Sequence, residues 1–106
     1  MASGGDDVAS RTASILKALS NPIRLKILAL CLKKERSSRE LREILGISKP
    51  LLIVHLKQLV KKGFLEYRVE FDQERMIVRK YYRTKRDFRV CIDENVLEEI
   101  LKELDA

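Results

Sequence analysis

The sequence has few of the residues from which catalytic sites are built. Its 106 residues include one histidine, His55, and two cysteines, Cys31 and Cys91, that lie far apart without metal-ligand spacing. There is no glycine-rich phosphate loop, no His–Cys arrangement and no paired-carboxylate spacing, so no catalytic constellation is visible. We therefore expect a protein that is not an enzyme and needs no cofactor.

Long apolar runs are also absent. No stretch approaches the roughly 20 apolar residues that span a bilayer, and no secretory signal is present. These absences predict a cytoplasmic protein with no membrane partner and with reduced cysteines. Cys31 and Cys91 both lie in apolar stretches and are interpreted as small buried hydrophobes. The alternative for Cys91 is a redox-sensitive thiol, because Arg86 and Arg89 are nearby in the sequence.

The charge is unevenly distributed. The formal net charge is +6, and residues 21–62 carry 11 Lys or Arg against 3 Asp or Glu, whereas residues 93–106 carry 1 against 6. An excess of basic residues in the central segment is typical of nucleic-acid binding. The alternative is a charged surface that is only solvated. The length suits one domain and not two.

Residues 37–62 have the pattern of a helix-turn-helix. Ser37 and Glu40 form a capping box that begins the first helix, and Gly46 ends it. Ser48 caps a second helix whose apolar residues recur at helical spacing and are expected to face the core: Leu52, Leu56 and Leu59. In a helix-turn-helix the second helix enters the DNA major groove, whereas an ordinary helical hairpin is the alternative.

The flanking segments predict two further elements before this motif. Residues 1–5 are small and expected to be flexible, and residues 6–106 are expected to form a single domain. A first helix ends at Ser20, and Asn21 with Pro22 begins a second one. The first helix carries one stripe, which consists of Val8, Thr12, Ile15, Leu16 and Leu19.

After Gly63 the apolar residues no longer recur at helical spacing but alternate with polar residues, which predicts strands. Two strands joined by a polar tip at 72–75 make a wing over residues 64–84. Asp93 is expected to cap a C-terminal helix, 93–105, with an acidic face and an apolar stripe of Val96, Leu97, Ile100, Leu101 and Leu104. The expected fold is α+β, mainly α: a winged helix-turn-helix with a two-stranded wing.

Three segments carry a family resemblance: L-S-N-P-I-R-L-K-I-L at 19–28, H-L-K-Q-L at 55–59 and Y-Y-R at 81–83. Together with the capped helix pair they resemble the arsenic-repressor-like (ArsR) family of winged-helix regulators. The S-K-P-L-L start of the second helix is similar to archaeal members. The resemblance implies a homodimer joined through the stripes of the first and last helices, which acts as a transcriptional repressor on a two-fold DNA operator.

The chain departs from family patterns at two places. Metal-sensing members carry Cys-x-Cys in the first helix of the motif, where this chain has Ser37 and Arg39, and a guanidinium cannot ligate a cation. We therefore predict no metal site. Family members also place polar residues on the outward side of the recognition helix, where this chain has Pro50, Leu51, Ile53 and Val54.

The candidate DNA-binding residues follow from these positions. Lys49, Lys57 and Gln58 are expected to reach base edges, with Leu51 and Val54 against thymine methyl groups. Backbone or minor-groove contacts are expected from Arg39, Arg42, Ser48, Arg75 and Arg79. His55 is interpreted as a packed or hydrogen-bonded structural residue rather than a switch.

Two other functions compete with a sequence-specific regulator. The exposed apolar start of the recognition helix would suit a protein–protein interaction module, since fold does not decide function. A non-specific architectural DNA-binding protein would use the same basic charge without sequence readout. The sequence identifies neither the operator nor any small-molecule or redox effector.

Overall fold

The computed structural model describes residues 7–104. The predicted flexible segment 1–5 and residue 105, the predicted end of the last helix, lie outside them. The elements in chain order are α1 (Val8–Leu19), α2 (Pro22–Leu30), β1 (Arg36–Ser37), α3 (Ser38–Leu45), α4 (Lys49–Lys61), β2 (Leu65–Asp72), β3 (Ile77–Thr84) and α5 (Glu94–Leu104). This order confirms the predicted winged helix-turn-helix, α+β and mainly α.

Helix starts follow the predicted caps. The Asn21 side chain accepts a hydrogen bond from the Ile23 N–H at 2.8 Å and caps α2. Both halves of the capping box are present, with the Glu40 N–H donating to Ser37 Oγ at 3.1 Å. Gly46 ends α3 with φ of 66°, a left-handed conformation that residues with a Cβ adopt only with strain.

The hairpin of β2 and β3 confirms the predicted two-stranded wing, but the sheet contains a third strand that was not predicted. The strand order is β1-β3-β2, because Arg36 pairs with Tyr82 and Ser37 with Tyr81. A two-residue strand has no alternating pattern to recognise, and it forms only because β3 offers a free edge. The predicted tip at 72–75 left Met76 as the first residue of the second wing strand. Met76 instead has φ of 54° and belongs to the hairpin tip, and β3 begins at Ile77.

The core lies where α2, α3, α4 and the base of the wing meet. Thr84, at the end of β3, donates from Oγ1 to the Leu28 carbonyl at 2.8 Å, and its N–H donates to the Cys31 carbonyl at 3.1 Å. These bonds attach the wing to α2. The central side chains are all buried: Ile27, Leu28, Cys31, Leu41, Leu52, Leu56, Leu59, Phe64, Leu65 and Tyr82.

The two cysteines differ in their surroundings. Cys31 is fully buried as predicted, and burial raises the pKa of its thiol to about 11. Cys91 is exposed, so its interpretation as a buried hydrophobe is wrong. It lies in the link between β3 and α5, where Val90 packs partly against the core and the next side chain is left in solvent.

The terminal helices leave much of their apolar surface in solvent. Ile15 and Leu19 of α1 pack against the core of their own chain. In contrast, α5 packs beside α1 and has no buried residue. The exposed apolar side chains on these helices are Leu16, Leu97, Leu101 and Leu104. The radius of gyration is 17.3 Å, against the roughly 13 Å of a compact chain of this length, so the fold is extended. No helix in residues 7–104 is both long and apolar enough to cross a membrane.

His55 links three helices. Its Nδ1 accepts a hydrogen bond from Arg24 Nε at 3.0 Å, and Arg24 Nη1 donates to the Ala18 carbonyl at 3.1 Å. The side chains therefore join α4, α2 and α1, as expected of a structural histidine. Burial, and then the neighbouring charge on Arg24, lowers the pKa of His55.

This lowered pKa predicts a pH-dependent stability. The unfolded chain, with an imidazole pKa near 6.5, takes up the proton first as the pH falls. The stabilisation is complete above about pH 6.5 and is lost toward the lower folded pKa, at no more than about 1.4 kcal/mol per pH unit. Urea unfolding of the wild type and His55→Asn at about pH 7.5 and pH 5 measures this. The asparagine keeps an acceptor for Arg24 but does not titrate. Equal losses of unfolding free energy in both proteins would contradict the prediction.

Candidate nucleic-acid interface

Helix α4 has two unlike sides. Ser48 caps it by accepting from the Leu51 N–H at 3.4 Å, and Pro50 lies in the first turn, where no backbone donor is needed. One side is buried in the core and consists of Leu52, His55, Leu56 and Leu59. The opposite side is left in solvent, and this is the side that carries Lys49 and Lys57.

Helix α3 lies beside α4 as the first helix of the motif. Leu41 is fully buried and holds α3 against the core. Arg39 is exposed, and its Nε lies 3.2 Å from Glu43 Oε1, four residues along the same helix. An exposed pair of this kind contributes little to stability and leaves the guanidinium free to exchange partners. Arg42 is half-buried.

The base of the wing contacts the loop before α3 through one arginine. The guanidinium of Arg68 in β2 binds Glu35, which precedes β1, with Nε 3.0 Å from Oε2, and it also binds Glu70 at 2.8 Å. The same group lies over the Tyr81 ring at 4.6 Å. The hydrogen bond from Arg68 lowers the pKa of the Glu35 carboxyl. These exposed contacts join the base of the wing to the loop before α3, and the backbone pairing of β1 with β3 holds the two segments together.

The two faces of the wing differ in the groups they carry. The register pairs Tyr67 with Tyr82 and Val69 with Lys80, which places these four side chains on one face. Tyr82 is buried at the base, whereas the others are exposed. Lys80 Nζ lies 4.7 Å from the centre of the Tyr67 ring. Lys80 therefore points toward the side on which Tyr82 meets the core.

A groove runs between the start of α3, the exposed side of α4 and strand β3, and we call it the α4–wing groove. It encloses about 640 Å³. Four of the predicted DNA-binding residues line it together: Arg39, Lys49, Lys57 and Arg79. Lys80 also lines the groove, although it was not among the DNA-binding residues predicted from the sequence. Side chains two residues apart on a strand lie on the same face, so the spacing from Tyr82 could have predicted that Lys80 faces the groove.

Six of the predicted DNA-binding residues lie outside this groove. Leu51 and Val54 are 45% and 54% exposed on α4, and Gln58 is half-buried beside them. Ser48 is at the helix start, and Arg42 is on α3. Arg75 is exposed at the wing tip, where Asp72 Oδ1 accepts from the N–H groups of Glu74 and Arg75.

Between residues 7 and 104, no group of three or more His, Cys, Asp or Glu side chains is placed to hold a metal ion. Ser37 stands at one position of the Cys-x-Cys of metal-sensing family members, and here its side chain forms the capping box of α3.

Comparisons with known proteins agree with this architecture. Residues 21–67 match the family model described as "Bacterial regulatory protein, arsR family". An uncharacterised HTH-type transcriptional regulator of Methanocaldococcus jannaschii is 30% identical over 86 residues, which cover 81% of this chain and 87% of that protein.

Two further relatives extend the comparison. A probable mercury resistance operon repressor of Streptomyces lividans is 46% identical over 57 residues, or 54% of this chain, and the match spans only 46% of the repressor. The solution structure of a homodimeric winged helix-turn-helix DNA-binding domain from Mycobacterium bovis, described as a possible ArsR-family regulator, is 27% identical with a TM-score of 0.61. The match covers 97% of this chain and 86% of that domain.

Proposed function

The chain belongs to the ArsR family of winged helix-turn-helix transcriptional regulators, and from this premise we propose that it is a homodimeric repressor binding a two-fold operator in double-stranded DNA. The observation that carries the proposal is the convergence of four predicted cations on the α4–wing groove, beside the exposed side of the second helix of the motif. Cations clustered along such a helix neutralise backbone phosphates.

In this proposal the recognition helix, residues 48–62, lies in the major groove and the wing points toward the minor groove. Base edges are reached by Lys49, Lys57 and Gln58. Leu51 and Val54 contact thymine methyl groups. Phosphate contacts come from Arg39, Arg42, Ser48 and Arg79, and Arg75 reaches the minor groove from the wing tip. We add Lys80 to the phosphate contacts, because it shares the groove with Arg39 and Arg79.

The proposed dimer is joined through α1 and α5. Four leucines on these helices are exposed although they lie on apolar stripes: Leu16, Leu97, Leu101 and Leu104. Val8, Thr12, Val96 and Ile100 are half-buried on the same helices and would complete the interface, with Ile15 and Leu19 connecting it to the core. A second copy would cover this surface, and the M. bovis domain is described as homodimeric.

We further propose that the protein acts in the cytoplasm as a regulator and not as an enzyme, and that residues 6–106 act as one domain. The names of its relatives, which are regulators and repressors, support this. The absence of metal sensing stays a prediction, supported by Ser37 and Arg39 at the positions of the family's Cys-x-Cys.

One observation favours a second candidate function. The exposure of Leu51 and Val54 at the start of the recognition helix would also suit a protein partner. The basic groove next to them favours DNA, so binding to a duplex decides between the two.

Fluorescence anisotropy with duplex DNA from upstream of the protein's own gene, beside a scrambled duplex, tests the proposal across a salt series. We expect strong binding to the upstream duplex alone, falling steeply with salt because bound cations displace counterions. Equal binding to both duplexes would indicate an architectural protein. Absence of binding to either at low salt would overturn the DNA proposal and favour a protein partner.

The role of Lys80 as a phosphate contact is tested by the same salt series. Replacing Lys80 with Ala removes one phosphate-neutralising charge, so the slope of log affinity against log salt should fall by about one. The control is Lys26→Ala, which removes an equal charge from an exposed position on α2, outside the groove. An unchanged slope for Lys80→Ala, or an equal change in both variants, would remove Lys80 from the phosphate contacts.

The dimer is tested by a charge within the apolar surface of α5. Leu101→Glu should yield a monomer in sedimentation velocity, because an unpaired carboxylate in an apolar interface is strongly unfavourable. The affinity for the operator should also fall, because each half-site would then be bound by a separate monomer. Leu25→Glu is the matched control, since Leu25 on α2 is 53% exposed against 62% for Leu101. A dimeric Leu101→Glu protein would place the interface elsewhere.

A further inference from the structure

The α4–wing groove has a property that phosphate binding alone does not require. Its floor is apolar, because the partly exposed side chains of Ile53 on α4 and Ile77 on β3 line it above a buried layer of Leu52, Leu56 and Tyr82. Val78 on β3 extends this floor toward the wing tip and is 59% exposed. DNA phosphates would contact the cations on the rim and leave such a floor uncovered.

The volume and the shape suit a small organic molecule. A cavity of about 640 Å³ lies within the range of roughly 300–1,000 Å³ that is typical of small-molecule sites. Such sites combine apolar walls with a few polar groups that orient the ligand, and here the walls come from two elements, α4 and β3.

The charges around the groove select an anion. Arg39, Lys49, Lys57, Arg79 and Lys80 line it, and no carboxylate is among the lining residues. Arg39 is paired with Glu43, and Lys80 lies over the Tyr67 ring. Within residues 7–104, Lys49, Lys57 and Arg79 have no acidic partner within 4 Å. A carboxylate entering the groove would therefore gain charge-assisted hydrogen bonds.

We propose that the α4–wing groove binds an organic anion with an apolar body, of the class of medium-chain carboxylates, and that this anion and DNA exclude each other. The chain of the ligand lies on Ile53, Ile77 and Val78, above the buried Leu52 and Leu56, and its carboxylate meets the cations of the rim. The exclusion rests on the proposed function, since it requires DNA phosphates to use the same cations. The binding itself does not.

The first test is made without DNA, so that it does not depend on the proposed function. Decanoate, decanol and inorganic phosphate are titrated separately into the full chain while the methyl NMR signals of Leu, Ile and Val are followed. Decanoate should shift the signals of Leu52, Ile53 and Val78 and bind at least about tenfold more tightly than decanol or phosphate. Equal binding of decanoate and decanol, or no shift with decanoate, would overturn the proposal.

A pair of variants locates the site. Val78→Glu places a carboxylate on the groove floor and should weaken decanoate binding at least about tenfold. Leu25→Glu is the matched control, because Leu25 is 53% exposed on α2 and does not line the groove. Both substitutions are at exposed positions, and the remaining methyl signals report whether each variant is folded. Equal weakening in both, or in neither, would contradict the assignment.

The second test adds operator DNA to the wild type. Decanoate should raise the apparent dissociation constant for the operator in proportion to its occupancy of the groove, and decanol at the same concentration should not. If decanoate binds the free protein and operator binding is unchanged by it, the exclusion is wrong. If the chain binds decanoate but no DNA, the proposed function fails while the anion site stands.

Discussion

The burial of one side of α4 is the constraint on which the rest of the structure depends. Leu52, Leu56 and Leu59 are almost completely removed from solvent, and each such leucine contributes about 1.5–3 kcal/mol. The helix cannot rotate about its axis without exposing these leucines and burying a lysine. Lys49 and Lys57 are thereby held on the outer side, where they meet the groove. The same hydrophobic packing thus sets both the fold and the direction in which the charges point.

Strand β3 is the second element that determines the site, because it connects the core to the wing. Thr84 attaches its end to α2, and Tyr82 carries the core onto the sheet. Beyond Tyr82 the strand leaves the core, and Lys80, Arg79 and Val78 follow along the groove. The wing is therefore a continuation of the core, which explains how residues distant in sequence on α3, α4 and β3 form one basic surface.

Features that depend on neighbours in sequence were predictable. The capping box at Ser37, the left-handed Gly46 and the change of period after Gly63 each depend on a few adjacent residues, and the structure has all three. Features that depend on distant contacts were not. Strand β1 exists only by pairing with Tyr81 and Tyr82, and Cys91 is exposed because its link lies outside the core. The individual cations were predicted, but their meeting in one groove was not, since periodicity says nothing about the distance between α4 and β3.

The central claim is that DNA lies along the exposed side of α4 and the wing. Amide NMR of the full chain, with and without the upstream duplex, measures this most directly. We expect chemical-shift changes at Arg39, along α4 from Lys49 to Gln58 and on β3. The amide shifts of α5 should stay unchanged, although their lines broaden in the larger complex. Shifts concentrated on α1 and α5, with the amides of α4 unperturbed, would contradict it and place the duplex on the surface assigned to the second subunit.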